Sequence, residues 1–292
     1  MDVVSVLAST PALFIGVSLV LGLLVGSFLN VIIHRMPQRL EADWRAQCRD
    51  LLDIPDANGE PAQSTSLWWP PSTCPSCGHR IRAWENIPVL SYLLLRGRCS
   101  ACGNAISLRY PLVEGLSGLL TAAVAWHFGF GWEAGAGFLL TWVLIALSVI
   151  DLDHQILPDD LTLPLLWLGL LGSLAGLYAD MQSAIIGAAA GYLSLWSVFQ
   201  LFRLLTGKEG MGFGDFKLLA MLGAWMGWQA LPVIIILSSL VGAVVGVALI
   251  LTRGHDRNIP IPFGPYLAAA GWVALLYRHD LTDAYLRWAG LA

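Results

Sequence analysis

The chain has 292 residues, 57% of them hydrophobic and 12% charged, with 16 Lys and Arg against 20 Asp and Glu. A soluble globular domain carries about 25% charged residues. Uncharged apolar runs recur here too often for one soluble core, which argues against an ordinary cytosolic enzyme. The formal net charge is −4 and no segment is strongly basic, so no nucleic-acid partner is expected.

The first apolar run, Ala12 to Ile33, has 22 residues and no charge. About 20 helical residues cross a bilayer. The run lacks a basic segment before it and a small-residue cleavage site after it, so it reads as a retained anchor. Gly22, Gly26, Ser27 and Asn30 suit a close helix–helix contact, with Asn30 either a buried interhelical hydrogen bond or a functional contact. Further runs are Gly115–Trp132, Ala134–Ile150, Leu161–Ala179 and Met181–Phe202. Leu218 to Thr252 is free of charge for 35 residues, too long for one crossing. Gly227-Trp228-Gln229 and Pro232 divide it into a short span, Leu218–Trp228, and a full one, Val233–Leu251. The short span extends back towards Asp215 or sits inside the bundle. The last span begins near Tyr266, after Pro260, Pro262, Gly264 and Pro265.

Backbone hydrogen bonds must close within hydrocarbon, so these runs predict helices. The expectation is an all-α polytopic membrane protein with about eight transmembrane helices and a zinc-binding cytoplasmic insertion. Its parts are a first span (1–33), the insertion (34–110) and a transmembrane core (111–292). The loops assigned to one side in this scheme hold 14 of the 16 basic residues. That side is therefore cytoplasmic, with both termini periplasmic.

Within the insertion, Asp53 to Ser72 is polar and rich in Pro and Ser, as expected of a linker. Two CxxC pairs follow, Cys74/Cys77 and Cys99/Cys102, with 21 residues between them. That spacing suits a four-thiolate zinc site, each pair gripping a tetrahedral ion from one turn. Gly78 and Gly103 permit the tight backbone that aims amides at sulfur. Four thiolates leave no open position, so the zinc is structural. A reducing compartment disfavours disulfides. His79 either tunes the site or is a surface residue, and Cys48, without a partner at paired spacing, reads as a plain thiol.

Carboxylates stand at two edges of the apolar runs. Asp151 follows the third, in Asp151-Leu152-Asp153-His154, and Asp215 opens the sixth, in Gly212-Phe213-Gly214-Asp215. The fourth and fifth spans leave and return between them, so a helical hairpin can join two carboxylates 64 positions apart. A carboxylate beside hydrocarbon is costly and is a functional candidate by default. Two neighbouring carboxylates share one proton, which suits one to act as base on a water while its partner assists a carbonyl. Gly212 and Gly214 leave room for an extended peptide beside Asp215. The competing readings are helix caps, solvated loop residues and lipid-headgroup contacts. Asp153, Asp159 and Asp160 share the same chemistry, Asp160 is placed to cap the helix starting at Leu161, and Lys217 either biases Asp215 or anchors the boundary.

These residues in this order resemble the bacterial type IV prepilin leader peptidase family, bifunctional peptidases and N-methyltransferases. The resemblance rests on Gly26-Ser27-Phe28-Leu29-Asn30-Val31, the two CxxC pairs, and Arg109-Tyr110-Pro111-Leu112-Val113-Glu114. It continues through Asp151 with Leu157-Pro158-Asp159, Gly212 to Lys217, and Pro260 to Tyr266. It implies that Asp151 and Asp215 are the catalytic aspartates of an inner-membrane enzyme. The enzyme would remove the basic leader of type IV prepilins or type II secretion pseudopilins after a glycine, on the cytoplasmic face. The new N-terminal residue, usually phenylalanine, would then be methylated with S-adenosyl-L-methionine. Gly97 and Arg98 fall near positions associated with methyl transfer, Arg98 where related chains can carry lysine. No soluble-methyltransferase nucleotide motif is present. The alternatives are a peptidase without methyl transfer, a membrane transporter, or a noncatalytic assembly scaffold.

Overall fold

A computed structural model describes residues 2–52, 69–208, 210–253, 261–288 and 290. Most of the expected linker and the segment with Pro260 and Arg257 lie outside these residues. The described residues contain no strand, only isolated bridges at Thr73–Arg80 and Arg98–Ala105. The chain divides into two compact units, Met1–Phe130 and Gly131–Ala292.

The first unit contains α1 (Val3–Ser9), α2 (Pro11–Leu51), a 3₁₀ turn (Ala83–Asn86), α3 (Leu90–Leu94) and α4 (Arg109–Phe128). Its axis is the pairing of α2 with α4. Small residues let the two backbones approach: a Cβ at Gly26 would lie 2.7 Å from the Glu114 Cα, and one at Gly118 would lie 2.8 Å from the Leu23 Cγ. The Ser117 hydroxyl donates to the Gly22 carbonyl at 2.7 Å. The Asn30 amide donates to the Tyr110 carbonyl at 3.2 Å, making it the interhelical hydrogen bond foreseen in one of its two readings. Buried positions recur at helical spacing from Phe14 to Pro37, and beyond Pro37 α2 buries nothing.

The second unit contains α5 (Trp132–His154), α6 (Asp159–Leu174), α7 (Met181–Thr206), α8 (Phe213–Met226), a 3₁₀ turn (Trp228–Ala230), α9 (Leu231–Arg253) and α10 (Gly264–Trp288). At its centre is α8, buried on every side from Leu218 to Met226 against α6, α7 and α10. A helix apolar all round is stable only in such a place. Glycine makes the fit: Gly187 of α7 and Gly223 of α8 meet backbone to backbone, and Gly169 of α6 leaves room for the Trp225 ring. The Trp225 indole N–H donates to the Leu165 carbonyl at 2.7 Å. Gly227, at φ +81°, ends α8 where the sequence predicts a break, and α9 then starts at Leu231 with Pro232 in its first turn. Here Pro costs no helical hydrogen bond.

Four helical segments are long and apolar enough to cross a membrane among the described residues: α2, α5, α7 and the stretch Trp228–Thr252. The expected count of eight is not reached on that criterion. At 16 and 14 residues, α6 and α8 are short, about 24 and 21 Å against about 30 Å of hydrocarbon. Charge-free runs also mark the helix ends poorly. The first expected span stops at Ile33, yet α2 continues through Pro37 to Leu51, so the expected 33/34 boundary falls inside a helix. Asp160 is not the cap of α6. Pro158 occupies that position, and Asp159 and Asp160 lie in the first turn, where the helix dipole favours acids.

Candidate active site and metal centre

Asp151 lies in the last turn of α5, which closes at Gln155 in a left-handed C-cap (φ +55°). Asp215 lies in the first turn of α8, after the extended N-cap Gly212. Asp151 is 5% exposed and Asp215 8%, and the two carboxylates interact electrostatically. Asp153, Asp159 and Asp160 are exposed, so burial separates the candidate pair from their chemical look-alikes. The Gly264 N–H, at the start of α10, donates to Asp151 Oδ2 at 3.0 Å. A Cβ at Gly264 would lie 2.6 Å from that oxygen, so only glycine lets the backbone come this close. Three helix ends therefore meet at the site: the C-terminus of α5 and the N-termini of α8 and α10.

Gly212 and Gly214 differ. A Cβ at Gly212 would meet nothing within 4 Å, which leaves open space beside Asp215. At Gly214 it would lie 2.8 Å from the Leu157 Cβ, so that small residue serves packing, and the expected room for a peptide is at Gly212 alone. Lys217 forms an ion pair with Asp159 (2.6 Å) rather than with Asp215, tying the start of α8 to the start of α6. Behind Asp215, Phe216 is fully buried among the rings of Tyr192, Phe199 and Phe213.

In the first unit, the Sγ atoms of Cys74, Cys77, Cys99 and Cys102 all lie within 4.8 Å of one another. Each pair occupies the same turn. Gly78 N–H donates to the Cys74 carbonyl and Gly103 N–H to the Cys99 carbonyl, both at 2.9 Å, with both glycines at φ +72°. Amides of Ser76 and Cys77 pull the Cys74 thiol down to about 6, and amides of Cys102 and Ala101 lower Cys99. The two turns are cross-linked. Asn104 donates to the Ser76 hydroxyl. Glu85 accepts from the Ser100 hydroxyl (2.5 Å) and the Arg82 amide (2.8 Å), and contacts His79 Nε2 at 3.2 Å. These bonds, that to Ser100 first, hold the Glu85 carboxyl down at about 2. His79 is thus part of the frame around the cysteines. Thiolates bind zinc at about 2.3 Å, which puts tetrahedral sulfurs about 3.8 Å apart. The Cys74–Cys102 separation is 3.9 Å, so the set is compatible with zinc. Cys48 is exposed and apart from it.

The family models match in two stretches: the bacterial peptidase A24 N-terminal domain over 20–128, and the type IV leader peptidase family over 138–247. A prepilin leader peptidase/N-methyltransferase of Stutzerimonas stutzeri is 59% identical over 292 residues, with both chains covered completely. The proteins of that name from Pseudomonas aeruginosa and Neisseria gonorrhoeae are 58% identical over 291 residues and 49% over 269, covering 99% and 92% of each chain. The chain belongs to the type IV leader peptidase family. No solved structure matches it.

In this family member the remaining predicted site residues, Gly97 and Arg98, occupy a turn. Gly97 is buried at φ +66°, with the Tyr92 hydroxyl 2.7 Å from where a Cβ would lie. Arg98 is exposed and bridged to Ala105. Sequence reasoning missed two residues. Gly264 was legible only as part of a Pro-Gly cluster, which gave no sign that its amide would hold Asp151. Glu114, buried at the start of the apolar part of α4, carried the same signal that singled out Asp151: a carboxylate beside hydrocarbon.

Proposed function

We propose that this chain is a membrane-embedded aspartic leader peptidase that cleaves type IV prepilins, and related secretion pseudopilins, and then N-methylates the new terminus. The full-length similarity to proteins named for both activities supports the two-step reading. The observation that carries the cleavage site is the burial of Asp151 and Asp215 at the meeting of three helix ends, within electrostatic reach of each other. In the proposed mechanism the pair shares one proton. The ionised carboxylate takes a proton from a water as its oxygen attacks the scissile carbonyl carbon. The protonated partner hydrogen-bonds the carbonyl oxygen and then delivers its proton to the departing amine. The Gly264 amide fixes Asp151 so that this geometry exists before substrate arrives. The open face at Gly212 receives the peptide backbone.

The finer architecture belongs to the same proposal. Eight crossings, with α4, α6, α8 and α10 completing the set, place both aspartates and the 34–110 insertion at the cytoplasmic face of an inner membrane, with the termini periplasmic. The four cysteines hold one structural zinc that folds the insertion and supplies no reactive position. Methyl transfer draws on S-adenosyl-L-methionine. The decisive experiment incubates purified protein with a prepilin, with and without that donor, and follows mass. Wild type removes the leader and adds one methyl group only with donor. Asp151→Asn and Asp215→Asn each abolish leader loss while remaining folded in the membrane. Normal cleavage by either variant would remove that residue from the mechanism.

A further inference from the structure

The first unit contains a cavity of about 520 Å³, within the range of small-molecule sites. Its wall is formed by α2, the start of α4 and the cysteine turns, and includes Asn30, His34, Arg35, Tyr92, Tyr110 and Glu114. Glu114 is 9% exposed. It accepts the Val89 amide at 2.8 Å and a hydrogen bond from the Ser27 side chain. No Lys or Arg among the described residues pairs with it. By contrast Glu85, the other carboxylate on the wall, is already engaged by Ser100, Arg82 and His79. A buried carboxylate outside any ion pair is expensive while ionised, and a bound cation would offset that cost.

A second observation points the same way. Val89 sits at φ +59° and ψ −45°, and the Leu90 N–H donates to the Pro88 carbonyl at 2.5 Å. This is a γ-turn of the rare, positive-φ type, on a β-branched residue that avoids that region. Such strain is kept where the surroundings impose it, commonly at ligand sites. Here Glu114 accepts the amide of the strained residue, three positions before Tyr92, which lines the cavity.

The geometry points to this cavity as the methyl-donor pocket, with the Glu114 carboxylate facing the sulfonium of S-adenosyl-L-methionine. The assignment rests on the methyltransferase reading above. The donor is a cation of cavity-filling size, and the phenol rings of Tyr92 and Tyr110 offer flat surfaces for its base. When the methyl group moves, the C–S bond breaks with its electron pair returning to sulfur, the new N–C bond forms, and the amine gives up a proton to solvent. The donor's positive charge is lost, so a carboxylate here binds the methylated donor more tightly than the spent thioether.

The test titrates purified full-length wild type and Glu114→Gln with S-adenosyl-L-methionine and, separately, with S-adenosyl-L-homocysteine. Glutamine keeps the shape and an acceptor for Val89 but removes the charge. Affinity for the sulfonium ligand should fall about ten- to a hundredfold, and that for the thioether about threefold or less. Leader cleavage should stay within about twofold of wild type, since Glu114 is not among the groups proposed to act in cleavage. Equal weakening of both ligands, or none, overturns the assignment. A wild type that binds neither ligand overturns the methyltransferase reading and this pocket with it. If Glu114→Gln does not fold, photocrosslinking of radiolabelled donor to wild type decides. Label in the segments 27–35, 91–92 or 110–114 supports the pocket, and label confined elsewhere refutes it.

Discussion

Replacing Gly264 by alanine tests the proposed cleavage site without altering either carboxylate proposed to react. The added methyl would lie 2.6 Å from Asp151 Oδ2, 3.2 Å from its carboxyl carbon and 3.1 Å from the Leu157 Cδ2. Ordinary contact with oxygen needs about 3.4 Å, so the carboxylate must retreat by roughly 0.8 Å, and the 3.0 Å hydrogen bond from the Gly264 amide lengthens with it. Gly264 is not at positive φ and begins a helix, so alanine suits its backbone. A misplacement near 1 Å costs on the order of 10²-fold in rate. The expected loss in kcat/KM for leader removal is therefore about 10- to 100-fold, or roughly 1.4–2.8 kcal/mol of barrier. The assay is mass-resolved cleavage of a prepilin in detergent micelles, with methylation of a pre-cleaved peptide as the control for folding. Cleavage within twofold of wild type would refute the placement of Asp151 beside the Gly264 amide.

Four further outcomes are expected. Gly223→Ala sets a methyl against the Gly187 backbone and should destabilise the second unit by about 1–3 kcal/mol, read as lost thermal stability in micelles. Gly135→Ala, in α5, meets nothing within 4 Å and should leave stability unchanged or raise it by roughly 0.5–1 kcal/mol. The Lys217–Asp159 pair is part-exposed, at 30% and 50%, so Lys217→Met should cost less than about 1 kcal/mol; a larger loss would mean that the pair fixes the start of α8. If the proposed zinc is present, the double variant Cys74→Ser/Cys77→Ser should contain none and expose the first unit to proteolysis, whereas Cys48→Ser should match wild type at one zinc per chain by metal analysis.

Much of the candidate site was legible because its chemistry violates its surroundings. Asp151 and Asp215 stand out against apolar runs, and paired cysteines at fixed spacing have few other uses. The positive-φ glycines after each pair, and the break at Gly227, follow from conformations that side chains resist. The structure differs where counting uncharged residues replaced helical geometry. A helix does not end because a charge appears, so α2 continues past His34, Arg35 and even Pro37, and α4 begins at Arg109, six residues before its apolar run. Conversely, α8 has no amphipathic period to read, because it is enclosed on all sides. Contacts between distant elements, such as Gly264 with Asp151 or Glu114 with Val89, leave no local trace in the chain.

The uninterrupted course of α2 has a mechanical meaning. Its 41 residues form one continuous helix with Pro37 inside it, about 62 Å along its path at 1.5 Å per residue, with no loop where it leaves the apolar stretch. A single residue inserted between positions 38 and 51 would turn the rest of the helix by about 100° and advance it about 1.5 Å. The length of this stalk thus sets the direction in which its own last turns face, and a spacer of four residues, nearly a full turn, should disturb that direction far less than a spacer of two.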